Sequence, residues 1–198
     1  AMVDTIGGAA ATGTGALVRK DSPTFTTTAT GVTETFADAD TSLATTGFVA
    51  AAGPTYARVT GSDVTRTAQT LADVTGLSIA LTTGRTYEYE AVLMVTTSAV
   101  TTGTQYGVNY SSTASLIEGS LVCTLASATP TARVERISAL NTASGTCMTT
   151  SGSTVGSVVI RGIITTTGSG NFTISHLKVT SGTSTVKIGS YLKVTRIA

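Results

Sequence analysis

The sequence predicts an all-β protein, an antiparallel β-sandwich of jelly-roll-like design preceded by an extended N-terminal arm. Three observations carry that prediction. Thr fills roughly a fifth of the 198 positions, and a β-branched side chain, stiff at χ1, costs helix propensity and suits a pleated surface. Only 12% of the residues are charged while 41% are hydrophobic, against about 25% charged in an ordinary globular chain. The 21 glycines, interspersed with Ser, mark turns at close intervals.

The first stretch, residues 1–52, is rich in Ala, Gly and Thr, and its large apolar residues (Leu17, Val18, Phe25, Phe36, Leu43, Phe48) are widely spaced. Such spacing cannot bury a core alone. It predicts an extended arm ordered by packing against neighbouring copies. A short helix is expected from Asp40 to Ala52, capped by Asp or Thr. Gly53-Pro54 then breaks the chain and opens the β-sandwich domain, residues 53–198.

Within that domain, strands are predicted at Leu77–Leu81, Tyr87–Val95, Gln105–Tyr110, Ser115–Leu125, Ala132–Ala139, Ser157–Thr165, Asn171–Val179 and Ser190–Ile197, enough for a sandwich or jelly roll. The second shows the period most clearly. Tyr87, Tyr89, Ala91 and Leu93 share one face while Glu88 and Glu90 point away, as in a half-buried strand. At the chain end Leu192 and Val194 alternate with Tyr191, Lys193 and Thr195, predicting a last core strand.

Charge and targeting signals narrow the partners. The net charge is +1 and no basic run exceeds Arg19-Lys20, so neither nucleic acid nor an anionic membrane has an electrostatic footprint to bind. Ala1-Met2-Val3-Asp4 lacks the basic and apolar regions of a secretory signal, and no stretch approaches the length of a membrane span. A soluble chain, assembled in the cytoplasm, is expected. Cys123 and Cys147 then read as buried, reduced thiols, with one disulfide as the alternative.

Two parts of the chain resemble phage virion proteins. Gly13-Thr14-Gly15-Ala16-Leu17-Val18-Arg19-Lys20-Asp21-Ser22-Pro23-Thr24-Phe25 looks like a linker common in tail-fibre and related structural proteins, and Thr41-Ser42-Leu43-Ala44-Thr45-Thr46-Gly47-Phe48-Val49 is similar to another segment of the same proteins. Later fragments, LADVTGLSIAL from Leu71, RTYEYEAVLMVTTSAVTTG from Arg85, VVIRGIIT from Val158 and VKIGSYLKVTRI from Val186, resemble a β domain at the ends of phage fibres and decoration proteins. The resemblance implies a non-enzymatic structural protein on the virion surface, a sandwich fold and a homotrimer. It also implies contacts with other virion proteins through the arm, and contact with a host surface glycan or protein. Fibre or fibre-tip protein is the first reading and capsid decoration (head-fibre) protein the alternative. The chain lacks a long repetitive shaft.

The inventory of reactive groups is short, and no catalytic, cofactor or metal residue is assigned. His176 is the only histidine and there is no Gly-x-Ser-x-Gly elbow, which excludes a hydrolytic triad. In Asn171-Phe172-Thr173-Ile174-Ser175-His176 the even positions share a face, so His176 is expected as a hydrogen-bonded core or interface residue, a pH-sensitive contact being the alternative. Glu88 and Glu90, roughly 7 Å apart by strand geometry, are the only candidate glycosidase pair, and a solvated strand face is the simpler use. Asp38 and Asp40 lack the ligand spacing of a calcium loop and suit a helix cap. Gly13-Thr14-Gly15 and Gly168-Ser169-Gly170 read as linker and turn glycines, not phosphate loops. Tyr106 and Tyr110 are candidates either for sugar or receptor contact or for core and trimer packing.

Overall fold

The computed structural model describes residues 53–125, 131–147 and 155–198. The arm, the helix expected at Asp40–Ala52 and the carboxylates Asp38 and Asp40 lie outside the described residues. Eleven strands follow one another: β1 (Thr55–Arg58), β2 (Val64–Arg66), β3 (Ala72–Leu81), β4 (Thr86–Thr97), β5 (Thr104–Tyr110), β6 (Ala114–Leu125), β7 (Thr131–Ile137), β8 (Gly156–Thr166), β9 (Gly170–Lys178), β10 (Ser184–Val186) and β11 (Tyr191–Arg196). Among the described residues there is no helix. All eight predicted strands are present, as β3 to β9 and β11. The three that sequence reading passed over, Thr-Tyr-Ala-Arg, Val-Thr-Arg and Ser-Thr-Val, are three or four residues long, too short to display a period of two.

Every pairing is antiparallel, in two unequal sheets. In the larger, the order is β1-β11-β4-β8-β6-β7, and β10 and β2 continue the places of β11 and β1 along the far end of β4. The smaller sheet has the order β3-β9-β5. The chain crosses between the sheets after β2, β3, β4, β5, β8 and β9, and the smaller sheet is built entirely from non-consecutive strands.

One core lies between the sheets. Tyr87, Tyr89, Ala91 and Leu93 of β4 are buried, as their alternation requires, and Leu192 and Val194 of β11 join them. They meet Phe172 and Ile174 of β9 and Tyr106, Val108 and Tyr110 of β5. The ring centres of Tyr89 and Phe172 are 4.8 Å apart. Each large side chain buried here stabilises the fold by roughly 1.5 to 3 kcal/mol.

Two glycine features shape that core. Tyr89 is registered beside Gly162, and Gly162 beside Gly119, so the phenol lies across two residues without side chains; a Cβ at either position would overlap its hydroxyl. In β3 the register shifts between Asp73 and Ser78. Gly76 there has φ +92°, and a Cβ would come within 2.8 Å of the Arg58 carbonyl of β1, so this bulge needs glycine both for its conformation and for its close approach.

Threonine hydroxyls link neighbouring strands and close turns. The Thr86 and Thr165 hydroxyls meet at 3.1 Å across β4 and β8, and Thr65 and Thr185 at 2.9 Å across β2 and β10. Thr166 donates to the Thr82 carbonyl at 2.6 Å, closing the turn between β3 and β4.

The expectation of two reduced cysteines is overturned. Cys123 and Cys147 form a disulfide, with Cα atoms 5.9 Å apart. After β7 the chain leaves the larger sheet and runs along the open edge of β5: Asn141 donates to the Val108 carbonyl at 2.9 Å, Ser144 to Tyr106 at 2.7 Å, and Cys147 to Thr104 at 2.7 Å, with Thr104 returning a bond at 2.8 Å. That edge run brings Cys147 in line with Cys123 on β6. Redox compartment bears on where the chain is made, whereas the crossing between sheets decides which thiols meet.

Candidate functional site

The solitary histidine is the natural starting point. His176 sits on the inward face of β9, fully buried, its ring 6.4 Å from that of Tyr106 and nearly parallel to it. Its Nε2 lies 3.5 Å from the Ser184 carbonyl, while Nδ1 and the Ser184 hydroxyl are buried without a partner. Burial drives its pKa down to about 4; the contact with Ser184 opposes this and the Arg66 charge adds to it. At neutral pH the ring is uncharged and shut away from solvent, a core residue as the strand pattern predicts.

The tyrosines resolve toward packing. Tyr106 is fully buried and its hydroxyl accepts from Thr104 Oγ1 at 2.8 Å; Tyr110 is buried and donates to the Gly168 carbonyl. Neither presents a ring to a ligand. Gly168 and Gly170 occupy the crossing from β8 to β9, packed against Ser112 and Ser111, which is the turn role expected of them.

Glu88 and Glu90 both project from the outer face of the larger sheet, but they do not act as a pair. Glu90 is held by Arg161 at 2.7 Å and accepts from the Tyr191 hydroxyl at 3.2 Å. Glu88 stands exposed at a shallow open depression it shares with Glu118, Ser120, Arg161 and Ile163. Glu118 in turn is bound by Arg136, which lowers its pKa. A carboxylate already neutralised by a guanidinium is a poor general acid.

Two further polar places were not singled out in the sequence. On the outer face of the smaller sheet, Asp73 of β3 accepts from Ser175 Oγ of β9 at 2.6 Å and from Asn109 Nδ2 of β5 at 3.1 Å. These three residues come from three strands, separated by 36 and 102 positions, and no local spacing announces them. At one end of the domain, a cleft of about 280 Å³ lies between β3 and the β1–β11 edge, floored by Ile79, Leu81, Tyr87 and Val194 and flanked by Arg85 and Arg196. Gly53, where the described chain begins, lines it. Among the described residues, no group of three His, Cys, Asp or Glu side chains is placed to hold a metal ion.

The broadest unusual surface is apolar. Val92 of β4, Val159 of β8, Val122 of β6 and Val134 of β7 are consecutive partners in register, and Tyr191 of β11 extends the row. All point outward, because their neighbours Ala91, Leu93, Val158, Ile160, Leu121 and Cys123 are buried. The signal was present in Leu121-Val122-Cys123 and Val158-Val159-Ile160, where apolar residues occupy both faces of a strand. Comparison with known proteins finds no matching family model, curated protein or solved structure.

Proposed function

We propose that this chain is a non-enzymatic structural protein of a phage virion, of fibre or fibre-tip type, displayed on the particle surface after assembly in the host cytoplasm. The observation that carries the reading is the order of segments along one chain: the Gly13–Phe25 and Thr41–Val49 motifs come first, and an all-β domain follows from Gly53. In this reading residues 1–52 are an extended arm that attaches to other virion proteins, and the domain is a jelly-roll-like sandwich assembled as a homotrimer. Its outer surface, rich in hydroxyls and low in charge, suits contact with a host glycan or protein.

The chemistry described above supports a structural role, since the lone histidine is buried and neutral and Glu90 and Glu118 are each held by an arginine. Gold-labelled antibody against the domain is expected to decorate the tail tips of intact particles, and purified protein is expected to adsorb to susceptible cells. Absence of label from the particle would refute the reading. Capsid decoration is the second reading, in which the arm grips the head lattice and the β domain projects outward. Label spread over the head lattice, with a correspondingly high copy number, would select it.

A further inference from the structure

We infer that the outer face of the larger sheet is the surface by which copies of this chain assemble, each face covered by a second copy. The inference rests on the self-association just proposed and gives it a location.

Its basis is where the exposed apolar side chains fall. Ten large ones stand exposed among the described residues, and six of them, Tyr56, Met94, Leu116, Val122, Val134 and Ile163, project from this one face. Val134 is 68% exposed and Val122 38%, both in the five-strand row that runs from Tyr191 to Val134. Scattered apolar residues need no explanation, but a continuous row across a sheet marks an interaction site. The opposite outer face, on the smaller sheet, is different: Asp73 accepts from both Asn109 and Ser175 there, and Thr173, Ser175 and Leu177 are already buried.

Charge on the apolar face argues for the kind of partner. Glu90 is neutralised by Arg161, and Glu118 by Arg136. The charges left over, Glu88, Lys193 and Arg58, are of mixed sign and leave the face with one net positive charge. A strongly acidic or basic partner therefore gains little, and the complement is another near-neutral, apolar surface. Among the described residues, the surface of that kind is the face itself.

Area points the same way. β4 and β8 are paired over ten residues, and five strands lie side by side, so the face measures roughly 33 by 24 Å, or roughly 800 Å², from ordinary strand spacing. A stable interface buries about 800 Å² on each partner. Sheets bury apolar rows by stacking face to face about 10 Å apart in a pair, or by turning together toward a common axis in a trimer.

The test is sedimentation velocity on the full chain and on the double variant Val122→Lys, Val134→Lys, with Val100→Lys, exposed but off the face, as control. Wild type and control are expected to sediment as the same oligomer. The double variant should dissociate, with association weakened at least about tenfold, while keeping its β circular dichroism. A folded double variant that assembles like wild type overturns the inference and leaves the homotrimer standing. A wild-type dimer dissolved by the double variant keeps this face and rejects the trimer. A wild-type monomer overturns both.

Should the double variant fail to fold, Met94 decides the matter in the unmodified protein. It projects from this face at 39% exposure, so peroxide should oxidise it several-fold more slowly in the assembled protein than after dilution to monomer. Equal rates overturn the inference.

Discussion

Breaking the Cys123–Cys147 bond should cost this domain a large part of its stability, and the size follows from the chain it closes. The two residues are separated by 24 positions. In the chain-entropy account, closing a loop of that size removes about 11 to 12 cal/mol/K from the unfolded ensemble, or about 3.5 kcal/mol at room temperature. For a domain of this size each kcal/mol moves the melting temperature by roughly 2 to 4 °C, so reduction should lower it by roughly 7 to 14 °C.

The effect should also be regional. Within the closed loop lie β7 and the run from Ser138 to Thr146, tied to β5 by only a few backbone bonds, whereas Cys123 and Cys147 themselves are buried. Scanning calorimetry with and without a phosphine reductant measures the shift, and hydrogen exchange should show β7 and residues 141–147 losing protection first. Two free thiols in unfolded, unreduced protein, or a melting temperature unmoved by reduction, would refute the reasoning.

Gly162→Ala and Gly119→Ala should each destabilise by about 1 to 3 kcal/mol, the range for steric intrusion into a packed core, read as a lower urea midpoint; stability equal to wild type would mean that the Tyr89 hydroxyl does not lie across these two glycines. Tyr89→Phe should be neutral or stabilising, within about 1 kcal/mol, because the hydroxyl it deletes is buried without a partner and its loss strands no donor or acceptor. For His176, whose pKa falls from 6.5 to about 4 on folding, the unfolded chain takes up a proton at higher pH than the folded one. Its contribution is complete above about pH 6.5 and lost as pH falls toward 4, at most about 3 kcal/mol by linkage; urea titrations across that window should show the slope, and His176→Leu should abolish it.

How much was legible depended on whether the determinant was local. The alternation in Tyr87–Leu93 and in Tyr191–Thr195 reads directly as a strand with one buried face, and the buried pattern matches it residue by residue. His176 was placed in the core by the same rule. Strands β1, β2 and β10 escaped because three or four residues acquire strand geometry only from the partners they pair with, Tyr191–Val194 for β1 and Val95–Thr97 for β10. The disulfide escaped for a related reason: it depends on residues 141–147 lying along β5, a pairing between segments more than thirty positions apart. The Asp73–Asn109–Ser175 cluster and the outward valine row likewise exist only once the register is known.

The edges of the larger sheet bear on how copies can meet. A free edge strand is a template for pairing with another chain, and proteins blunt it with charges, especially inward-pointing ones. β7 is such an edge: Arg133 is registered beside Cys123 and Glu135 beside Leu121, so both turn toward the side of the sheet that faces the core. There they pair with each other, while Glu135 accepts from the Gly145 amide and Arg133 reaches the Thr146 carbonyl at 3.4 Å. The pair thus pins the run that carries Cys147, and a strand added beyond β7 would have to accommodate charges fixed in place. With that edge discouraged and the outer valine row uncovered, association through the face is favoured over association through β7. Face packing between a few copies closes on itself, whereas pairing through β7 would propagate, so this end of the sheet favours discrete oligomers over fibrils. Thioflavin binding that rises with concentration in folded protein would contradict this, and a single sedimenting boundary across the same range would agree with it.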